Sequence, residues 1–230
     1  AGEVLGFAGL VGAGRTETSR AIFGADLKDG GEIILNGKEL EIKCSSDAIN
    51  AGIVLIPEDR KKDGLCTKLS IRDNIALPNL PMISGKLTGK VNKKSEAEMV
   101  NKGKSSLTIK MANAEVDAGT LSGGNQQKIV VAKWLARESE VIIFDEPTRG
   151  IDVAAKVEIY EIINELKKQG KAVIVISSEM PEVMGISDRI LVMCEGRITG
   201  ELTSEEATEN NILSCAMRFE DKANKQKAAS

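Results

Sequence analysis

Apolar residues are grouped along the chain in patterns that predict its elements. Four short unbroken runs, Val4 to Ala8, Ile53 to Ile56, Val141 to Phe144 and Ala172 to Ile176, suit strands of a parallel sheet covered on both faces. Two segments carry helical spacing instead. Ile129, Val130, Ala132, Trp134 and Leu135 recur at that spacing behind a Ser122-Gly123-Gly124 turn. Val157, Ile159, Tyr160, Ile162, Ile163 and Leu166 supply the apolar face of an amphipathic helix over Val153 to Gln169, which Gly170 ends. Two hairpins are predicted as well. Gly31 to Leu40 turns at Asn36-Gly37, a strong type I′ signal, and Arg189 to Met193 pairs with Arg197 to Glu201 across Glu195-Gly196. Between Ile71 and Ala118 the pattern loosens. Pro78, Pro81, Gly85 and Gly89 break a polar stretch that is dense in Lys from Lys90 to Lys110, which reads as a small, mostly helical lobe inserted between core strands.

Composition narrows the classes. The 230 residues fit one large domain, or a core with an inserted lobe, and 42% hydrophobic residues suffice for a real core. A net charge of -3 argues against a dominant nucleic-acid footprint. The Lys-rich stretch has no interleaved aromatics and reads as a solvated face. Cys44, Cys66, Cys194 and Cys215 form no C-x-x-C pair, and the chain has no His to share a metal, so free cytosolic thiols are expected. No signal peptide and no apolar run long enough to span a bilayer can be seen in these residues, so any membrane role would be expected to need another subunit.

The candidate chemistry lies at the ends of the apolar runs. Asp145 and Glu146 follow the strand Val141 to Phe144 directly, and desolvating two adjacent acids costs free energy unless a cation, water or partner compensates. The carboxyl end of a strand is where open α/β sheets bind ligands, so Asp145 is placed to hold Mg²⁺ through water and Glu146 to orient or deprotonate an attacking water. A solvated pair at a strand-to-turn corner is the plainer alternative. Ser122, Gly123 and Gly124 open a helix whose amides favour an anion, although an ordinary Ser N-cap would look the same. After the first strand, Gly9-Leu10-Val11-Gly12-Ala13-Gly14-Arg15-Thr16 matches the phosphate-binding P-loop with Arg15 in place of Lys. Backbone amides can wrap phosphates and Thr16 can offer a hydroxyl to Mg²⁺, whereas Arg is a longer planar fork than the point charge it replaces.

Taken together, the Ser-Gly-Gly turn and the strand ending in Asp145-Glu146 resemble the signature motif and Walker B of an ATP-binding cassette (ABC) ATPase, with Gly150, Ile151 and Asp152 as its D-loop. The resemblance covers nearly the whole chain. Three features, Arg15 in the P-loop, the sequence IPEDRK after the second strand and LSGGNQQK in place of the commoner LSGGQ, make it most similar to the C-terminal cassette of two-cassette ATPases serving bacterial importers of the ribose, galactose and xylose type. The implied fold is α/β: a P-loop NTPase (RecA-like) core with a mostly parallel sheet, a partial antiparallel β subdomain and an inserted helical subdomain. Residues 1–70 and 141–217 would form the core with the β subdomain, 71–140 the helical subdomain, and 218–230 a tail, frayed from Phe219 onward. Further strands, and the aromatic residue that stacks on adenine, would lie before Ala1, so the chain reads as one cassette of a longer polypeptide.

The resemblance also implies roles. ATP would be held by Gly9, Gly12, Ala13, Gly14, Arg15, Thr16 and Glu17, with Glu58 where transport cassettes carry a Gln and Ser178 where they carry a switch His. Thr16, Asp145 and Glu58 would serve Mg²⁺, and Glu146 would be the catalytic carboxylate. Ser122, Gly123, Gly124 and Asp152 would serve the nucleotide of a cassette packed head to tail. Implied partners are an N-terminal cassette of the same polypeptide, membrane permease subunits and, indirectly, a periplasmic or extracellular sugar-binding protein, with no nucleic acid. The implied location is the cytoplasmic face of the membrane. With Arg15, Glu58 and Ser178 at three positions of its own site and an intact signature, an asymmetric ATPase is expected, binding nucleotide but turning it over slowly. A silent regulatory cassette and a non-transport cassette ATPase acting in DNA repair or translation are the alternatives.

Overall fold

The computed structural model describes residues 1–85 and 88–218. In chain order the elements are β1 (Glu3–Gly9), α1 (Arg15–Phe23), β2 (Ile33–Leu35), β3 (Lys38–Leu40), α2 (Ser45–Asn50), β4 (Ile53–Ile56), α3 (Ile71–Ala76), α4 (Leu80–Ile83), α5 (Lys93–Ser106) and α6 (Gly123–Leu135). They continue with β5 (Val141–Asp145), α7 (Val153–Lys168), β6 (Ala172–Ile176), α8 (Met180–Ile186), β7 (Arg189–Cys194), β8 (Arg197–Thr203) and α9 (Glu209–Ala216). They form two compact units, one of residues Ala1–Leu55, Glu140–Glu146 and Ile163 onward, the other of Ile56–Ser139 and Pro147–Ile162.

The larger sheet has the order β4-β5-β6-β1-β7-β8. β1 pairs in parallel with β6 and β7, β5 pairs in parallel with β6, and β8 closes the edge antiparallel to β7. Register positions the chemistry: Phe7 and Asp145 both lie opposite Ile176, so the carboxyl ends of β1, β5 and β6 share one edge. Neighbouring residues of β1 face opposite sides, as a pleated strand requires. Phe7 packs with Phe23, Ile53 and Ile143, while Ala8 packs with Val183, Ile190 and Ile212. Both faces are therefore covered, which is why these strands read as unbroken apolar runs. The Asn36-Gly37 turn joins β2 to β3 with φ of 52° and 74°, as a type I′ turn demands.

In the second unit α3, α5 and α6 pack on one another. α6 buries Ile129, Val130 and Val131 completely, so it is enclosed on more than one side. Two glycines set the spacing: a Cβ at Gly103 would stand 3.2 Å from Ala132 Cβ, and one at Gly124 only 2.5 Å from Ala155 Cβ. Lys128 of α6, buried, meets Glu158 of α7 at 2.8 Å.

The apolar face expected for α7 needs one correction. Ile159, Ile163 and Leu166 are buried together with Ala155, but Val157 is 50% exposed. The buried stripe runs 155, 159, 163, 166 at helical spacing, and residue 157 lies nearly half a turn from it. The short helices α2, α8 and α9 were not predicted from the sequence, because at six to eight residues each makes only about two turns and a helical period cannot repeat. All four cysteines are free. Among the described residues no helix is long and apolar enough to cross a membrane. The tail from Phe219 onward lies outside the described residues.

Candidate functional site

The first unit brings together residues from β1, α1, β5 and the end of β6. The loop after β1 is held tightly at both ends. A Cβ at Gly9 would stand 2.5 Å from the Met193 carbonyl oxygen, and the Ala13 carbonyl accepts the Gly196 N–H at 2.9 Å, so the β7–β8 turn pins the loop. Gly12 and Gly14 take φ of 82° and 93°, a region L side chains rarely adopt, and a Cβ at Gly12 would meet nothing within 4 Å. The loop is open there, and α1 begins directly behind it with its free N-terminal amides.

At the base of the loop the Thr16 hydroxyl donates to Asp145 Oδ1 at 3.1 Å. Asp145 is buried, and that burial lifts its pKa from 3.8 to about 6, although the Thr16 hydrogen bond pulls the other way. Glu146, half-buried, is likewise pushed up by burial, against the pull of the Ser178 hydroxyl, which donates to its Oε2 at 3.1 Å. Its backbone is left-handed at φ 47°, held by its N–H donating to the Ile176 carbonyl at 2.8 Å. A left-handed non-glycine residue costs about 1–3 kcal/mol, and such strain concentrates at functional positions.

Arg15 is buried rather than free in the loop. Its Nη1 donates to the Ser177 carbonyl at 2.6 Å, so one arm of the guanidinium is committed to the end of β6. Ser177 in turn donates its hydroxyl to Glu182, a buried carboxylate of α8 whose Oε1 has no partner. Glu17 is exposed on the first turn of α1.

The residues present fit an anion with a hard cation. Thr16 and Asp145 offer oxygen donors only, and a buried carboxylate held near pKa 6 gains from an adjacent positive charge. Among the described residues no cluster of three or more His, Cys, Asp or Glu could hold a metal alone. A Mg²⁺ ion here would therefore take its remaining oxygens from water and from a phosphate ligand, which is its usual habit.

The other predicted residues belong to the second unit. Ser122 stands at the N-cap of α6, yet its hydroxyl accepts from Asn125 Nδ2 at 2.9 Å and caps no backbone amide. The first amides of α6 are left for another acceptor. Asp152 caps α7, accepting the Ala155 N–H at 2.9 Å. The Glu58 carboxylate is paired with the Arg149 guanidinium. Sequence reasoning missed Arg60, whose guanidinium donates to the carbonyls of Arg149 and Gly150, and Glu182 with its Ser177 bond. Arg60 carried a weak signal, since it lies in the IPEDRK stretch. Glu182 carried none.

A family model described as ABC transporter matches residues 1–149. The chain belongs to the ABC transporter family. Among relatives of this ABC transporter chain, a ribose import ATP-binding protein, RbsA, of Clostridium perfringens (strain SM101 / Type A) is 53% identical over 216 residues, which are 94% of this chain and 43% of that protein. The ribose import ATP-binding protein RbsA of Oceanobacillus iheyensis is 54% identical over 215 residues, again 94% of this chain and 43% of the relative. The chain thus spans less than half the length of either. A crystal structure of a nucleotide-free ATP-binding cassette from an ABC transporter superposes with a TM-score of 0.76 at 24% identity, covering 93% of this chain and 85% of that one. The ABC transporter chain accordingly has the α/β P-loop NTPase fold, with a mostly parallel sheet and a small antiparallel one.

Proposed function

We propose that this chain is an ATP-binding, ATP-hydrolysing cassette that energises monosaccharide import. The observation that carries the reading is the convergence, in one unit, of Thr16 with Asp145 and of Ser178 with Glu146 below an open glycine loop. The similarity to ribose import ATP-binding proteins supports the substrate class. The division into two compact units supports a single cassette built from a core and a helical lobe, although residues 56–70 and 147–162, expected in the core, group with the second unit and not with the first. Its partners would be a second cassette in the same polypeptide, permease subunits at the cytoplasmic face of the membrane and, through them, a sugar-binding protein.

In this reading the amides of Gly9 to Thr16 and of the first turn of α1, Glu17 included, hold the phosphates of ATP. Thr16 and Asp145 hold Mg²⁺, which neutralises phosphate charge when bound. Glu146 orients the attacking water and accepts its proton, a task helped by burial that makes its carboxylate more basic. Ser122, Gly123 and Gly124 present uncapped amides to the nucleotide of the opposite cassette, with Asp152 at the same interface. Glu58 serves the metal only if it leaves Arg149.

Turnover at this chain's own site should be slow. Arg15 spends one arm on the Ser177 carbonyl, and the Ser178 hydroxyl is turned to Glu146 in the place of an imidazole. The Arg15 bond also favours a second reading, a regulatory cassette that binds nucleotide without hydrolysing it. The deciding experiment measures ATP binding and turnover, with Glu146→Gln as the control for contaminating activity. Binding with slow, control-sensitive turnover is expected. Absence of ATP binding sinks the proposal, turnover indistinguishable from the control supports the regulatory reading, and fast turnover that the control abolishes refutes the asymmetric site.

A further inference from the structure

Arg60 opens the wide turn that follows β4, and its place in the sequence assigns it no task. In the second unit its Nη1 donates to the Arg149 carbonyl at 2.9 Å and its Nη2 to the Gly150 carbonyl at 3.1 Å. Its Nε is buried without a partner, while the side chain as a whole is half-buried and the two Nη bonds lie on its exposed side. A Cβ at Gly123 would stand 2.8 Å from Arg60 Nη2 and 3.1 Å from the Gly150 carbonyl oxygen. The bare backbone at 123 is therefore what leaves the guanidinium its place. Glu58, two residues before Arg60, pairs with the Arg149 side chain, so the same two loops are joined twice.

A planar fork with parallel N–H groups can hold two successive carbonyl oxygens at once. An ammonium group, a compact charge on a flexible stem, does not reproduce that geometry. We infer that Arg60 is a positioning residue that locks three segments into one body: the loop of residues 57–61, the Arg149-Gly150 turn and the Ser122-Gly123-Gly124 turn at the head of α6. The inference rests on the proposed function, in which Glu146, three residues before Arg149, handles the attacking water and the Ser-Gly-Gly turn meets phosphate. The Arg60 guanidinium makes its hydrogen bonds to backbone carbonyls. It sets the path of the backbone on which those groups depend, so that a shift of the loop 57–61 moves the other two segments with it.

The test compares wild type, Arg60→Lys and Arg60→Gln in two assays: backbone amide exchange, and ATP hydrolysis by the assembled importer. In both variants exchange should quicken at least tenfold at the hydrogen-bonded amides of Leu121, Gln126 and Ile151 while β1, β5 and β6 keep their protection. Because misplacing reacting groups by about 1 Å costs about 100-fold in rate, kcat should fall between tenfold and 100-fold with KM for ATP within twofold. Gly123→Ala, which crowds the same guanidinium, should reproduce the exchange pattern in the wild-type background and add little to Arg60→Gln. Wild-type exchange and kcat in Arg60→Lys would overturn the inference, as would faster exchange spread over the whole sheet. Should the wild-type importer fail to hydrolyse ATP, the functional reading falls. The exchange pattern still decides whether Arg60 locks the three segments.

Discussion

Asp145→Asn should stabilise the metal-free chain, and do so more strongly as the pH rises. Asp145 is 2% exposed, and burial raises its pKa from 3.8 to about 6. Folding then favours the protonated carboxyl. Stability is fully present below pH 3.8, the unfolded value, and is lost as the pH rises through about 6. At 1.36 kcal/mol per pKa unit, holding the ionised group in the folded chain costs about 3 kcal/mol at pH 7.5 and about 1.6 kcal/mol at pH 5. Asn has nearly the same shape, retains an oxygen to accept the Thr16 hydroxyl, and cannot ionise. Urea unfolding of both proteins in a chelator, at several pH values between 5 and 8, gives the difference between them, in which the other titrating groups cancel. The variant should be the more stable by about 1.6 kcal/mol at pH 5, rising to about 3 kcal/mol at pH 7.5. A difference that does not change with pH, or that shrinks as the pH rises, would refute the argument that burial dominates at this carboxylate.

Two further outcomes follow from packing. Gly124→Ala should destabilise the chain by about 1–3 kcal/mol in chemical unfolding, because its methyl would lie 2.5 Å from Ala155 Cβ and α6 and α7 would have to separate. Val157→Lys should change the unfolding midpoint little, within about 0.5 kcal/mol, because Val157 is 50% exposed, whereas Ile159→Lys should abolish cooperative unfolding by burying a charge. Equal effects of the two Lys substitutions would show that the stripe through Ala155, Ile159 and Ile163 is not the buried one.

The parts of the molecule that depend on neighbours in sequence could be read from the sequence. A glycine loop of eight residues, an apolar strand ending in two acids, a Ser-Gly-Gly turn leading a helix and an Asn-Gly hairpin each hold their physical cause within one short span. Their order was enough to predict a mostly parallel sheet and a phosphate-binding loop. The face of α7 was legible only in part, since Val157 is apolar like Ile159 and Ile163 and its exposure depends on which side of the helix is covered.

Side-chain commitments were not legible. Arg15 looked like a phosphate ligand, but half of its fork is taken by the carbonyl of Ser177, 162 residues away. Thr16 and Asp145, 129 residues apart, meet because β1, β6 and β5 run parallel in register. The left-handed backbone of Glu146 and the grip of Arg60 on Arg149 and Gly150 have no local signature at all. By itself the sequence determined the main strands and the longer helices, their order and the residue types offered at each strand end, because propensity, periodicity and turn geometry act over a few residues. Only the tertiary structure decided which of those residues are already bonded to one another and which carboxylates lose water, because burial and hydrogen-bond partners are set by distant parts of the chain folding together.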